Sequence, residues 1–307
     1  MRIAITGGKG GTGKSTVATS IAYEMAKGHR TLLVDCDVEC PDDHLLLSIS
    51  REKVQDVETL LPSFNQKTCQ RCGNCSRVCR QNALVFVTYE YPFLIPEQCN
   101  GCGACILACP EQAITEDSQV IGTIYQGKLE TQKDSFEQGM VTKRMAKNFL
   151  LISGEVAVGC EASTLVVNAT RKYASQLEDD YSLTVIDTAA GTHCNVIAAL
   201  MDTNLVLAVS EPTPLGKHDL DLILKLLEKI GLEARIITNR ANIGNLNLIK
   251  ALADEKGVKI VLEIPYKKEI LEHYSRGVPA LGDLVSQFVV DMVKEALLEE
   301  SSVEEEP

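Results

Sequence analysis

Short apolar runs separated by amphipathic stretches recur along most of the chain. Residues 3–6 form the first run and residues 31–35 (TLLVD) the second. Between them, residues 15–27 place Val17, Ile21, Ala22 and Met25 at helical spacing, and Lys27-Gly28 ends the pattern. After about Glu116 the same alternation resumes, with strand-like runs at 183–187 (LTVID), 204–210 (NLVLAVS), 234–239 (ARIITN) and 259–265 (KIVLEIP). Helical segments are predicted near 193–200, 217–230 and 244–256, with a last one at 283–299. Strands alternating with helices predict an α/β fold, a mostly parallel sheet with helices on both faces; near-continuous apolar strands are what two-sided burial requires. Residues 116–150 are polar and are expected to hold one or two strands leading back to the sheet.

One block interrupts this pattern. Residues 65–115 contain eight cysteines and little helical periodicity, and CQRCGNCSRVCR at 69–80 is matched 30 residues later by CNGCGACILACP. A fixed offset with matching Cys and Gly positions is an internal repeat. A discontinuous domain is therefore expected at 1–63 and 116–300, with a small α+β module inserted at 64–115 whose ends lie close together, and an acidic tail at 301–307.

The chemistry of each part follows from its spacing. Cys69, Cys72, Cys75 and Cys79, then Cys99, Cys102, Cys105 and Cys109 before Pro110, have the spacing of bacterial two-cluster ferredoxins. In that scheme three cysteines of each run wrap one 4Fe–4S cluster and the fourth crosses to the other. One set is Cys69, Cys72, Cys75 and Cys109; the second is Cys99, Cys102, Cys105 and Cys79. Zinc is the competing metal, but zinc ribbons use two CxxC knuckles set farther apart. Arg80 stands where the second run has Pro110, and Arg71, Arg77 and Arg80 surround the first run. They are either cations that favour a reduced cluster or ordinary solvated arginines.

Gly7-Gly8-Lys9-Gly10-Gly11-Thr12-Gly13-Lys14-Ser15 lies between a strand and a helix, and Gly8, Gly13, Lys14 and Ser15 satisfy the phosphate-loop template G-x-x-x-x-G-K-S/T. Backbone amides of such a loop cradle phosphates, with Lys14 at the β- and γ-phosphates and the Ser15 hydroxyl on Mg²⁺. Thr16 opens the helix beside it. Lys9 adds a second lysine, and KGGTGKS resembles the deviant phosphate loop of the MinD/ParA class of ATPases. The whole layout is similar to members of that superfamily carrying an inserted ferredoxin domain.

The resemblance implies several roles. Lys9 would reach across an ATP-dependent homodimer, or a heterodimer with a paralogue, to the partner's nucleotide. Asp37 would position the attacking water, with Asp35 near Mg²⁺. Asp187 would hold Mg²⁺ through water, the Gly191 amide would sense the γ-phosphate, and Asn239 would read adenine. Ala189 and Ala190 stand where the family usually has prolines, which leaves that segment freer in φ. The segment 210–214 ends another strand, where ligands gather in open α/β sheets.

Composition narrows the partners. The 307 residues are 45% hydrophobic and 23% charged, a globular balance. A net charge of −12 disfavours nucleic acid, and 5% aromatics without Trp disfavour stacking platforms. The sequence shows no signal-peptide pattern and no apolar run near the about 18 residues that span a bilayer, so a soluble cytoplasmic protein is expected, without membrane binding. Twelve cysteines in a reducing compartment point to metal or redox centres rather than disulfides. The acidic ending is expected to be a solvating tail or an interaction tail.

Cys36, Cys40, Cys160 and Cys194 lie outside the repeat, where inert packing is the ordinary role. Cys160 and Cys194 are also placed like the cysteines that hold a shared cluster across the dimer of the nitrogenase iron protein. No role is assigned to His193 or His218. The expected function is ATP binding and slow, partner-stimulated hydrolysis, coupled to electron transfer or metallocluster assembly on a redox or metallocluster partner. The alternative is a MinD-like spatial or cell-division regulator, an ATP-dependent protein-binding switch. The intact set Lys9, Lys14, Ser15, Asp37 and Asp187 argues against a ferredoxin with a vestigial ATPase.

Overall fold

The computed structural model describes residues 1–130, 142–282 and 284–292. The elements run β1 (Arg2–Thr6), α1 (Lys14–Ala26), β2 (Thr31–Cys36), α2 (Asp43–Leu46), β3 (Arg51–Phe64), α3 (Asn74–Val78), β4 (Leu84–Val85), β5 (Phe93–Leu94), α4 (Ala104–Leu107), β6 (Ile114–Gly127) and α5 (Lys143–Asn148). They continue through β7 (Phe149–Val156), α6 (Ser163–Ser175), β8 (Leu183–Thr188), α7 (Cys194–Leu200), β9 (Leu205–Ser210), α8 (Pro214–Ile230), β10 (Ala234–Asn239), α9 (Asn247–Lys256), β11 (Ile260–Ile264) and α10 (Lys268–Ser275). Of the helix expected at 283–299, residues 284–292 are helical; position 283, the remainder, and the acidic tail at 301–307 lie outside the described residues.

Nine strands form one sheet in the order β11-β10-β9-β1-β8-β2-β7-β6-β3. The seven strands from β11 to β7 are mutually parallel. Alternation along each strand sorts side chains to two cores. Ile3, Ile5 and Leu33 pack with α1 on one face, whereas Ala4, Leu32 and Val34 pack under α6, α7, α8 and α9 on the other. Both cores are apolar, which is why these strands lack polar alternation.

β6 and β3 depart from that scheme. β6 runs antiparallel to β7, and β3 runs antiparallel to β6 at the sheet edge. β7 flanks only Gly122–Gly127 of β6, so residues 114–120 pair with residues 58–64 alone, and this two-stranded ribbon stands off the sheet. Arg51 anchors its root: Nη1 donates to Ser153 Oγ at 2.9 Å, Nη2 to Glu155 Oε2 at 2.9 Å, and the guanidinium lies 4.6 Å from the Tyr125 ring centroid. The ribbon leads to the cysteine-rich segment, and Asn65 N donates to Ala113 O at 2.8 Å where the chain leaves and returns.

That segment is a repeat in backbone as well as in sequence. Arg71 and Gly101, Gly73 and Gly103, and Asn82 and Gln112 all have positive φ, each pair 30 residues apart. Cys79 N donates to Ser76 O and Cys109 N to Ile106 O, both at 3.2 Å. A small core of Cys75, Leu84, Cys105 and Ile114, packed by Phe64 and Leu94, joins the two copies.

Candidate functional site

Parallel strands end together, so the loops after β1, β2, β8 and β10 converge at one sheet edge. There they surround a cleft of about 380 Å³. Gly10, Gly11, Gly13, Lys14, Ser15, Thr16, Asp37 and Asn239 lie on its wall. Gly8, Lys9 and Thr12 belong to the same loop but are not on that wall. Lys14 Nζ instead donates to the Lys9 carbonyl at 3.4 Å, and Thr12 is buried. Asn239 Nδ2 donates to the Thr12 carbonyl at 2.8 Å, fixing the end of β10 to the phosphate loop. The Gly191 amide donates to the Gly7 carbonyl at 3.0 Å.

The opposite wall is apolar and was not legible in the sequence. Pro265, Tyr266, Ile270, Leu271 and Tyr274, from the end of β11 and from α10, face the phosphate loop across the cleft. Arg240, paired with Glu211, sits beside them. A phosphate loop sharing one cleft with apolar side chains and a few polar ones is the composition of a nucleotide site.

Below the phosphate loop lies a set of buried carboxylates. Asp35, Asp43 and Asp187 place one oxygen each within 4.8 Å of one another, and all three are buried. Asp35 and Asp187 were expected here; Asp43, on α2, was not. Asp35 Oδ1 accepts the Asp37 amide at 3.1 Å and Oδ2 the Asp43 amide at 3.3 Å. Both oxygens of Asp43 and both of Asp187 lack a hydrogen-bond partner. Burial, then mutual repulsion, raises Asp35 and Asp43 well above the carboxylate range. Asp187 is pushed up to about 7 by burial, with Ser15 and Lys14 pulling the other way. Orphaned buried carboxylate oxygens beside a phosphate-loop serine fit a hard divalent cation. Burial also raises Asp37, opposed by the Lys14 ammonium, and Asp42, opposed by a Ser15 hydrogen bond.

The cysteines of the repeat gather at two further cavities. Cys69, Cys72, Cys75 and Cys109 line one, with Phe64 and Ile114 at its base. Cys79, Cys99, Cys102 and Cys105 line the other, against Leu60 and Pro62 of β3. Each set therefore takes three thiols from one repeat and the fourth from the other, and every cysteine of the chain is a free thiol. Ala113 N donates to Cys109 Sγ at 3.3 Å. Four thiols lining one cavity next to positive-φ turns match a cubane cluster in donor type and number.

The remaining cysteines are dispersed. Cys36 is buried in β2 with its thiol pushed far up by desolvation, and Cys40 is on the nucleotide cleft. Cys160 is half-buried after β7, and Cys194 is exposed at the start of α7.

No helix among the described residues is long and apolar enough to cross a membrane. The profile of the CbiA family, the CobQ/CobB/MinD/ParA nucleotide binding domain, matches residues 3–280. Uncharacterized protein MJ0579 of Methanocaldococcus jannaschii is 34% identical over 282 residues, 90% of each chain. Uncharacterized protein MJ0578 of the same organism is 30% identical over 80% of each chain. The septum site-determining protein MinD of Pyrococcus horikoshii, complexed with Mg-ADP, has a TM-score of 0.57 at 17% identity, covering 96% of both chains. The MinC:MinD cell division protein complex of Aquifex aeolicus gives 0.53 at 19% identity, covering 96% of this chain and 95% of that one. At such identities these two structures are alike in fold.

Proposed function

The chain belongs to the CobQ/CobB/MinD/ParA family of nucleotide-binding domains, and we propose that it is an ATP-hydrolysing switch whose inserted module, residues 64–115, carries two 4Fe–4S clusters. The observation that carries this reading is the pair of cavities, each lined by four cysteines drawn from both repeats. The set Cys69, Cys72, Cys75 and Cys109 would hold one cluster and Cys99, Cys102, Cys105 and Cys79 the other. When bound, such clusters supply one-electron transfer.

In this reading the phosphate loop binds ATP, with Lys14 at the β- and γ-phosphates. Ser15, Asp35, Asp43 and Asp187 would hold Mg²⁺, whose charge neutralises the phosphates. Asp37, on the cleft wall, orients the attacking water. Asn239 and the wall of Tyr266, Ile270 and Tyr274 take the base. Lys9, which does not line its own cleft, is left to reach a partner's nucleotide in an ATP-dependent dimer of two copies or of a copy and a paralogue. A ligand that binds open and closed dimers unequally shifts one to the other. β3 starts five residues after Leu46 of α2, so the module is rooted in the element that carries Asp43. The output is electron transfer to, or metallocluster assembly on, a protein partner.

The test is anaerobic redox titration of the purified chain with ATP, ADP or no nucleotide. About eight irons per chain and a nucleotide-dependent potential are expected; iron near zero sinks the cluster reading.

A second reading is favoured by the comparisons, which bear on the nucleotide-binding part. The Aquifex aeolicus neighbour is a MinD bound to MinC. By that analogy the chain is an ATP-dependent protein-binding switch acting in spatial organisation or cell division. A cluster potential indifferent to nucleotide, with self-association that requires ATP in sedimentation, would favour this second reading.

A further inference from the structure

The two cysteine-lined cavities match in backbone and differ in charge. At the 30-residue offset, Lys67 is answered by Glu97, Arg71 by Gly101, Arg77 by Leu107 and Arg80 by Pro110. Because Cys79 and Cys109 cross over, the residues after them face the opposite cavity. Pro110 and Glu111 line the first cavity, and Gln81 lines the second. Arg71 and Glu111 are thus the charged residues on the first cavity wall, and among the described residues no charged one lies on the second.

Arg71 is held in place. Its guanidinium lies 4.1 Å from the Tyr91 ring centroid, and Nη1 donates to the Tyr89 carbonyl at 2.9 Å. Arg77 adds a second cation on the same side, donating to the Cys72 carbonyl at 3.3 Å. Glu111 is an exposed carboxylate that offsets part of this charge. Arg80 follows Cys79 on the side of the second cavity without lining it.

We infer that the two sites are electrically unequal, and that Arg71 makes the site of Cys69, Cys72, Cys75 and Cys109 the more readily reduced of the two. This rests on the two-cluster reading proposed above. Each 4Fe–4S cluster takes one electron from dithionite, passing from the 2+ to the 1+ state and gaining one negative charge. A fixed guanidinium stabilises that added charge, and net charge is one of the terms that set cluster potentials. Arg71 acts through the cluster's surroundings and is a positioning residue, not a ligand.

The experiment is a reductive titration of the full-length chain with dithionite, followed by electron paramagnetic resonance. Two one-electron steps are expected, the earlier one lost in Cys72→Ala. Arg71→Gln should move that earlier step alone to lower potential. At a fixed potential its reduced-to-oxidised ratio should drop about tenfold, equivalent to about 59 mV for one electron. Arg71→Lys should retain most of the wild-type position, and Glu111→Gln should move the same step upward. An earlier step unmoved by Arg71→Gln, or a shift of the later step instead, overturns the assignment. Should Arg71→Gln fail to hold iron, Glu111→Gln decides by itself: an upward shift confined to the Cys72-dependent step supports the inference, and none overturns it. Iron far below about eight per chain in the unaltered protein overturns the two-cluster reading itself. Full iron with coincident steps overturns only the charge assignment.

Discussion

The backbone amide of Gly191 donates to the carbonyl oxygen of Gly7 at 3.0 Å, joining the loop after β8 to the end of β1. Gly191 has a φ of 98°, and a Cβ placed there would meet the His193 ring at 3.3 Å. The amide that the proposed switch would use to sense a terminal phosphate is here engaged by the phosphate loop's own backbone. Gly191→Ala should keep ADP binding and lose most ATP turnover, roughly tenfold or more, with a stability cost of about 1–2 kcal/mol from the left-handed backbone. Phosphate release and thermal unfolding check both parts. Turnover that survives the substitution removes Gly191 from the switch.

Under the proposed function, Lys14→Ala should abolish ATP hydrolysis and leave the visible absorbance of the clusters in the cysteine-rich module in place. The Lys14 side chain is buried in the phosphate loop, and the cysteine cavities are lined by other residues. Hydrolysis unaffected by the change contradicts the site assignment.

The buried carboxylates make stability depend on pH. Asp187 is raised from the ordinary 3.8 to about 7 by burial, so between those values the folded chain holds more protons than the unfolded one. In magnesium-free protein the contribution of Asp187 to stability is therefore full below the unfolded value and is lost as pH rises toward and through about 7, by on the order of a few kcal/mol. Asp187→Asn should flatten the melting temperature between pH 5 and pH 8, and Mg²⁺ should stabilise the unaltered chain at pH 8 far more than the variant. A variant with the parent's pH slope shows that another group carries the effect.

Iron content tests the cysteine sets. Cys75→Ser and Cys105→Ser each remove a buried thiol from one cavity. Each should lower iron from about eight to about four per chain, both together to near none. The Cys160→Ser, Cys194→Ser double variant should keep about eight. An unaltered chain with about ten irons that falls to eight in this variant would instead give those two thiols a cluster shared across a dimer.

Legibility followed burial. The strands buried on both faces, β1, β2, β8 and β9, announce themselves as apolar runs, as do the partly buried β10 and β11. β7 does not, although Phe149, Leu151 and Ile152 are fully covered, because it follows the polar helix α5 without a turn signal. β3 escapes notice and β6 is anticipated only as one of the one or two strands expected within 116–150, because exposed and covered positions do not alternate regularly along them. In α6 the contacts through Val166, Val167, Thr170 and Ala174 are masked by β-branched residues, which resemble strand.

At the sites, spacing carried the information. The cysteine sets grouped by the 30-residue offset are the ones that line the two cavities, because exchange of the fourth cysteine is built into that spacing. Asp43 and the wall of Tyr266, Ile270 and Tyr274 were invisible, since what brings them to the cleft is tertiary packing. The pair Asp42-Asp43 looks like an ordinary polar turn until the burial of Asp43 is seen.

The part of the ribbon beyond β7, which packs against the cysteine-rich module through Leu60, Pro62 and Phe64, has a mechanical meaning. Seven residue pairs, from Glu58 opposite Val120 to Phe64 opposite Ile114, lie beyond the support of β7, an arm of about 23 Å at about 3.3 Å per residue. Any tilt of such an arm would pivot where that support ends, at Val57 opposite Gly122. A tilt of about 5° there carries the tip by about 2 Å over that length. If the module carries the two clusters proposed above, a swing of that size would change their distance to a docked protein, and with it the rate of electron exchange, while leaving each centre chemically unchanged.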